Sequence, residues 1–471
     1  MTHKDSAQLP ATLFEVSWEV CNKVGGIYTV VATKARQAVE RFGQNYFLLG
    51  PARDKNPGFI EASSEGEEGR LWETFRRAAA LHNLKCRFGR WDIPGSPKAV
   101  LVDWKERYNQ NQILYDLWRD FGVDSLTGAW DYVEPVMFSM ACGEAIAAFS
   151  QVISDENEGE RAVTAHFHEW MCGAGLLYLK KHAPSISTVF TTHATVLGRS
   201  MAGAGRDIYA EMDQINAARE ADNFNITAKC SMETAAAREA DCFTTVSALT
   251  AHEAAAFLGR RPDLVTPNGL SLSSIPDYSG DRSAPAANKK KILAAVGRLL
   301  CRPLPENSRL FLISGRYEFR NKGIDLFLDA AAALNRSRSA GEPPVIALCA
   351  VMNGHNGIDE RALSGDPVQK PDDAPFWITA HRVFDKVHDP ILNACARLGL
   401  DNRPENAVQV VLNPALLDGQ DGLFGMTYDD VLSACDAGIF PSWYEPWGYT
   451  PQESAAHAVP TVTTDLSGFG L

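Results

Sequence analysis

The sequence is short of positive charge, of long apolar runs, and of the glycine and cysteine signatures that mark common cofactor and metal sites. Its 45 lysines and arginines are outnumbered by 58 aspartates and glutamates, a formal net charge of −13. A general affinity for nucleic acid or an anionic membrane is therefore excluded, because both need a dominant positive field. No run approaches the roughly eighteen apolar residues that span a bilayer, and the N-terminal "MTHKDSAQLPATLFEV" lacks a signal-type apolar core. A cytoplasmic protein with no membrane partner is expected. No G-x-G-x-x-G and no Walker-type G-K-[ST] occurs, so neither a nicotinamide nor an ATP reading has a motif behind it. The ten cysteines are scattered without a C-x-x-C pair, which suits buried thiols of a reducing compartment better than a disulfide framework or a zinc site. No resident cofactor is expected.

What is present is material for a large packed protein. At 471 residues, 45% hydrophobic and 22% charged, the chain is too long for one ordinary core and calls for two domains. Short β-branched or apolar runs alternate with Ala-rich helical stretches, as in "RAVTAHFHEWMCGAGLLYLKKH" (161–182), "DCFTTVSALTAHEAAAFLG" (241–259) and "RLFLISGRYEFRNKGIDLFLDAAAALN" (309–335). Further strand-like runs are "PVIALCAV" (344–351), "AVQVVLN" (407–413) and "DAGIFPSW" (436–443). This alternation specifies α/β architecture, parallel sheets covered by helices, doubly wound and present twice. The Ser-, Pro- and Gly-rich "GLSLSSIPDYSGDRSAPAANKKK" places the boundary near Ile275 to Ala287, giving domains 1–280 and 281–471 with a ligand cleft expected between them. An interruption at about 354–406 reads as added helices that offer an oligomer contact.

Ligands of open parallel sheets bind beyond the carboxyl ends of the strands, and five polar clusters fall there. In "NKVGGIYTV" (22–30) the adjacent Gly25 and Gly26 would let backbone N–H groups approach a phosphate, although a tight turn into a helix is the plainer reading. In "TAHFHEW", His166 and His168 point the same way in extended chain; a metal site is conceivable, and structural or sugar-binding polar residues are the simpler account. His193 in "FTTHATVLGRS" reads, alone, as a satisfied buried histidine. Arg316 and Lys322 in "SGRYEFRNKG" (314–323) suit a diphosphate, with a solvated basic loop equally open. In "YEPWGYTPQE" (444–453), Thr450, Pro451 and Glu453 match a helix N-cap, first position and capping-box acid. Glu445, between a strand end and Pro446, has no such structural excuse and reads as a functional carboxylate.

Taken together these stretches resemble the glycogen synthase family. The resemblance rests on "EVSWEVCNKVGGIYTVVATKA" (15–35), "HFHEW" (166–170), "FTTHATVLGR" (190–199), "FTTVSALTAHEA" (243–254), "VTPNGL" (265–270), "SGRYEFRNKG" (314–323) and "YEPWGYTPQESAAHAVPTVTTDLSGFG" (444–470), in the family's order. It implies a GT-B fold, two Rossmann-like domains with the active site in the inter-domain cleft. It also implies retaining transfer of glucose from UDP-glucose to the non-reducing end of an α-1,4-glucan such as glycogen. By resemblance Arg316 and Lys322 hold the diphosphate, while Lys23, Gly25 and Gly26 close over the donor. Glu445 faces the reacting sugar, and Glu453 binds the ribose. His193, Arg199 and Asn268 line the glucose side, and Tyr449 and Thr450 meet the phosphates.

The chemistry is coherent, since departure of UDP gathers negative charge on phosphate where cations and a helix N-terminus stabilise it. No D-x-D triplet of the metal-dependent transferases is present, so metal-independent activity is expected. Lys23-Val24-Gly25-Gly26-Ile27 is the UDP-glucose form of the glycine loop rather than the Lys-Thr-Gly-Gly-Leu form of ADP-glucose-dependent starch synthases. An ADP-glucose-dependent synthase, a glucan phosphorylase and a non-catalytic glucan-binding protein stand as alternatives. The chain stops at "DLSGFGL", before the closing helices and the arginine-rich glucose 6-phosphate helix that the family order implies, so it is expected to be C-terminally truncated.

Overall fold

Strands of the first half form from the β-branched and apolar runs singled out above. In chain order they are β1 (Thr12–Val16), β2 (Tyr46–Pro51), β3 (Phe59–Glu61), β4 (Lys85–Trp91), β5 (Lys98–Asp103), β6 (Val163–His168), β7 (Ser187–Thr192), β8 (Cys242–Thr245) and β9 (Leu264–Val265). The computed structural model describes residues 11–105, 109–156, 162–278, 280–338, 342–365 and 377–471. The nine strands make one sheet in the order β3-β4-β5-β2-β1-β6-β7-β8-β9. Pairing is parallel from β5 to β9, and antiparallel between β3 and β4 and between β4 and β5. The expected parallel sheet thus carries an antiparallel edge, because the short link Asp92–Pro97 cannot hold the crossover that parallel pairing of β4 with β5 needs.

Helices cover both faces, and Phe14, Phe47, Trp72, Phe75, Phe138, Phe149 and Phe167 meet in the larger core. The helix Trp130–Glu156 runs through it. Its Trp130–Ser154 stretch is long and apolar enough to cross a membrane, contrary to the expectation that no run comes close, and 67% of its most apolar window is buried. Val136, Met137, Ala141, Ala145, Ile146 and Phe149 are among the residues it packs inward. It is a core helix.

The second half contributes β10 (Arg309–Arg316), β11 (Val345–Met352), β12 (His355–Ile358), β13 (His381–Val383), β14 (Val408–Asn413), β15 (Ala437–Phe440) and β16 (Thr461–Thr463). Five of them form a parallel sheet in the order β14-β11-β10-β15-β16. The chain divides into two compact units, Met1–Met201 with Asp207–Leu270 and Ala202–Arg206 with Ser271–Leu471. The division after Leu270 falls at the start of the Ser/Pro/Gly-rich stretch that suggested residue 280.

The interruption at 354–406 is not purely helical. Residues 366–376 of it lie outside the described residues; the remainder holds the antiparallel pair β12–β13, a short helix Glu360–Leu363 and the helix Pro390–Leu398. Asp389 caps the last of these by accepting from the Leu392 N–H, with Pro390 opening it. The same segment closes the outer side of edge strand β14. The Asn402 side chain accepts from Val410 N–H at 2.7 Å and donates to Val410 C=O at 2.7 Å, while Leu412 N–H donates to Ile378 C=O at 2.8 Å.

Candidate functional site

In the second unit the candidate residues converge where β10 and β15 end. β10 delivers Arg316, whose guanidinium is half exposed and bonds Glu318 at 2.9 Å. The loop then turns into helix Ile324–Ser337, and Asn321 C=O accepts from Trp443 N–H at 3.0 Å. This tie sets Lys322 beside the loop after β15, where its ammonium bonds the Glu445 carboxylate directly, the two side chains keeping 14% and 13% of their surface exposed. Glu445 is itself fixed by its backbone: its N–H donates to Leu466 C=O at 3.2 Å, and its C=O accepts from Gly468 N–H at 3.0 Å.

Tyr449 and Thr450 stand in the first turn of helix Tyr449–Ala456. The capping box expected at Thr450 and Glu453 is absent: the N-cap is Gly448, with no side-chain cap. Gly448 adopts φ +106, and a Cβ there would come within 2.7 Å of Ser467 Oγ and 3.3 Å of Glu445 Cγ. A residue without a side chain can turn the chain this early and this close to Glu445, which moves the helix start ahead of Thr450. Pro451 is tolerated because first-turn N–H groups have no intrahelical acceptor. The N-terminus of this helix lies four residues after Glu445. Glu453 lies one turn on against Tyr428, whose hydroxyl is within 3.0 Å of Ser314 Oγ.

In the first unit, Gly25 is the N-cap of helix Gly26–Phe42. Its N–H and that of Tyr28 both donate to Glu19 Oε2, at 2.6 and 2.9 Å. The glycine loop is thus a tight turn into a helix, as the plainer reading held, with a buried carboxylate on its amides. Lys23 is exposed, its ammonium 5.6 Å from the centre of the Tyr28 ring. Thr33 on the same helix donates to Gly269 C=O at 3.4 Å, which ties the helix to the segment holding buried Asn268.

His193 follows β7 and is buried. Its Nε2 lies 2.9 Å from His168 Nδ1, and His168 Nε2 lies 2.6 Å from Glu15 Oε1. Glu15, fully buried in β1, also bonds the Lys34 ammonium and accepts from Tyr46 hydroxyl at 2.5 Å. Burial alone would raise the Glu15 carboxyl, but Lys34 and His168 hold it well below the usual carboxylate range. Burial, with only partial compensation by Glu15, lowers His168; burial, His168 and Lys34 push His193 well below the ordinary imidazole value. His166 and His168 do share a side of β6, with ring centres 4.2 Å apart. Donor atoms of Glu15, His166 and His168 fall within 4.8 Å of one another. The set does not fit a divalent ion, since the Lys34 ammonium already occupies the carboxylate and would repel one.

Three more buried carboxylates hold the segment from Thr192 to Gly198. Glu169, itself at φ +65, accepts from His193 and Ala194 N–H at 2.9 and 3.2 Å. Glu233 accepts from Val196 N–H at 3.0 Å, and Glu253 accepts from the Thr195 and Tyr209 hydroxyls, each at 2.7 Å. Gly198 is required here, because a Cβ would lie 2.3 Å from Glu253 Oε2. Burial pushes Glu169 up to about 7 against the opposing Arg199, and burial with Glu169 nearby pushes Glu233 well above the ordinary carboxyl value. Arg199, in helix Val196–Gly203, reaches the surface.

Sequence reasoning did not single out Glu15, Glu19, Lys34, Tyr46, Glu233 or Glu253. The signal for Glu15 was available: a carboxylate inside the apolar strand TLFEV must be paired if buried.

Known proteins resemble this chain in sequence and in fold. A family model described as glycogen synthase matches residues 15–371 and 367–471. The liver glycogen [starch] synthase of Homo sapiens is 34% identical over 515 residues, spanning 97% of this chain and 72% of that protein. The glycogen [starch] synthase of Caenorhabditis elegans is 32% identical, spanning 97% and 76%. Among solved structures, the catalytic domain of starch synthase IV from Arabidopsis thaliana, bound to ADP and acarbose, superposes with a TM-score of 0.51 over 97% of this chain and 83% of that one; at 16% identity this likeness concerns the fold, of the GT-B class. With the two α/β units, the glycine loop and the Lys322–Glu445 pair in place, the sequence match over nearly its whole length assigns this chain to the glycogen synthase family.

Proposed function

We propose that the protein transfers glucose from UDP-glucose to the non-reducing end of an α-1,4-glucan with retention, as a metal-independent cytoplasmic enzyme of glycogen synthesis. The observation that carries this reading is the Lys322–Glu445 ion pair at the head of helix Tyr449–Ala456. An ammonium, the nearby Arg316 guanidinium and the N-terminal end of a helix suit a diphosphate that gains charge as it leaves. A carboxylate in the same cluster suits the oxocarbenium-like sugar left behind. Glu445 is bonded to an ammonium, which favours an electrostatic role over that of a free nucleophile and so favours same-face attack.

In this reading Arg316, Lys322, Tyr449 and Thr450 receive the diphosphate, and Glu453 the ribose. Lys23, Gly25, Gly26, His193, Arg199 and Asn268 attend the donor and its sugar. Uridine as the base is supported by the Lys23-Val24-Gly25-Gly26-Ile27 loop. The cytoplasmic placement is supported by ten free cysteines.

The decisive test offers radiolabelled UDP-glucose or ADP-glucose with glycogen as acceptor. Label incorporated from UDP-glucose and weakly from ADP-glucose is expected, with Glu445→Ala abolishing transfer while UDP binding stays near normal. Near-normal turnover in that variant removes Glu445 from the mechanism.

A further inference from the structure

Glu15, His168 and His193 form an unbroken line of hydrogen bonds whose polarity is set from one end. Both Glu15 oxygens are engaged, Oε1 by Lys34 and His168 and Oε2 by Tyr46. Held ionised by these partners, the carboxylate can only accept, so His168 must carry its hydrogen on Nε2. His168 is buried and kept neutral, so its Nδ1 is a lone pair. The 2.9 Å contact between His168 Nδ1 and His193 Nε2 then needs a hydrogen from His193 Nε2. A neutral His193 so arranged has no hydrogen left for Nδ1, and among the described residues that atom has no hydrogen-bond partner. His166 stands outside the line, turned to Thr191 Oγ1 at 2.7 Å, and Thr191 turned in turn to Thr244 at 2.6 Å.

We propose that Glu15 and His168 are positioning residues for His193, fixing it with hydrogen on Nε2 and a bare lone pair on Nδ1, so that it meets the transferred hexose as an acceptor for a sugar hydroxyl. The proposal rests on the reading that His193 faces the donor sugar. It assigns a task to two buried residues that no substrate contact explains. It also denies His193 the part of a general acid, because Nδ1 has no proton to give and Nε2 has committed its own to His168. Lys34 and Tyr46 belong to the same device, since they keep the carboxylate charged and fully occupied. The backbone N–H of His193, bound to Glu169 at 2.9 Å, fixes the position of the ring while the line of imidazoles fixes its chemistry.

The test is long-range nitrogen–proton correlation NMR on the full chain labelled with 15N-histidine, with the His193 ring assigned by the signals lost in His193→Gln. The wild type is expected to show His193 neutral with hydrogen on Nε2. In Glu15→Gln, whose amide can donate where the carboxylate could only accept, the His168 and His193 signals are expected to move toward the Nδ1–H form. In that variant kcat should fall by about tenfold, with KM for UDP-glucose within about twofold. Wild-type His193 bearing its hydrogen on Nδ1 overturns the proposal, as does a Glu15→Gln protein with both tautomer and kcat unchanged. Should Glu15→Gln fail to fold, the wild-type spectrum decides alone. Absence of glucosyl transfer by wild type, with the expected spectrum intact, would sink the transferase reading and leave the hydrogen-bond line standing.

Discussion

Replacing Lys322 by methionine removes the ammonium and leaves the Glu445 carboxylate almost enclosed, with 13% of its side chain exposed. Breaking a buried ion pair from one side costs about 3–5 kcal/mol because the remaining charge has lost its partner; the residual exposure places this pair at the lower end, about 3 kcal/mol. A unit of 206 residues, the 5 of Ala202–Arg206 plus the 201 of Ser271–Leu471, loses about 2–4 °C of Tm per kcal/mol. Lys322→Met should therefore lower the transition of the second unit by about 6–12 °C. The double substitution Lys322→Met/Glu445→Leu removes both charges and should return to within about 1 kcal/mol of wild type, while transferring no glucose. Scanning calorimetry on wild type, both single variants and the double variant measures the cycle, and the labelled-glucose assay runs on the same samples. A Lys322→Met protein melting within 2 °C of wild type, or a double variant as unstable as Lys322→Met, would refute the claim that the pair is a buried and mutually dependent unit.

Three further outcomes are expected. Gly448→Ala forces a side chain into φ +106 and to within 2.7 Å of Ser467; a loss of roughly 1–3 kcal/mol and a raised KM for the donor should appear in melting and steady-state measurements. Glu169, with a folded value of about 7 above its unfolded one, binds more protons folded than unfolded, so its contribution to stability falls as pH rises from about 4.5 toward 7. Glu169→Gln should flatten that slope in denaturant titrations across the same window, and an unchanged slope would contradict the assignment. Chelation by EDTA should leave transfer intact; complete loss restored by manganese would show that the donor phosphates need an ion after all.

Much of this was legible in the sequence, for identifiable reasons. Buried parallel strands need continuous β-branched and apolar residues, so β10, β11, β14 and β15 could be read directly from their runs. The loops after them held the candidate residues because parallel topology puts all carboxyl ends on one side. What failed was pairing across sequence distance. Glu233 and Glu253 come from helices Thr227–Glu239 and Ala248–Phe257, and nothing local says that both turn onto the residues after His193. The Thr-Pro-x-Glu pattern was a correct helix-start signal in the abstract. Gly448 overrode it with a backbone conformation that Thr450 could not adopt cheaply. Local chemistry proposes a start, and the neighbouring conformation decides it.

The covering of β14 by Asn402 and Ile378 bears on how this protein fails as much as on how it works. Val408–Asn413 is buried at every position, and its outward backbone groups would otherwise be a template for a foreign strand. The inserted segment therefore acts as a stopper on a self-complementary edge. Excising it to produce a trimmed enzyme would uncork that edge, and the product to expect is an intermolecular sheet rather than a smaller working protein.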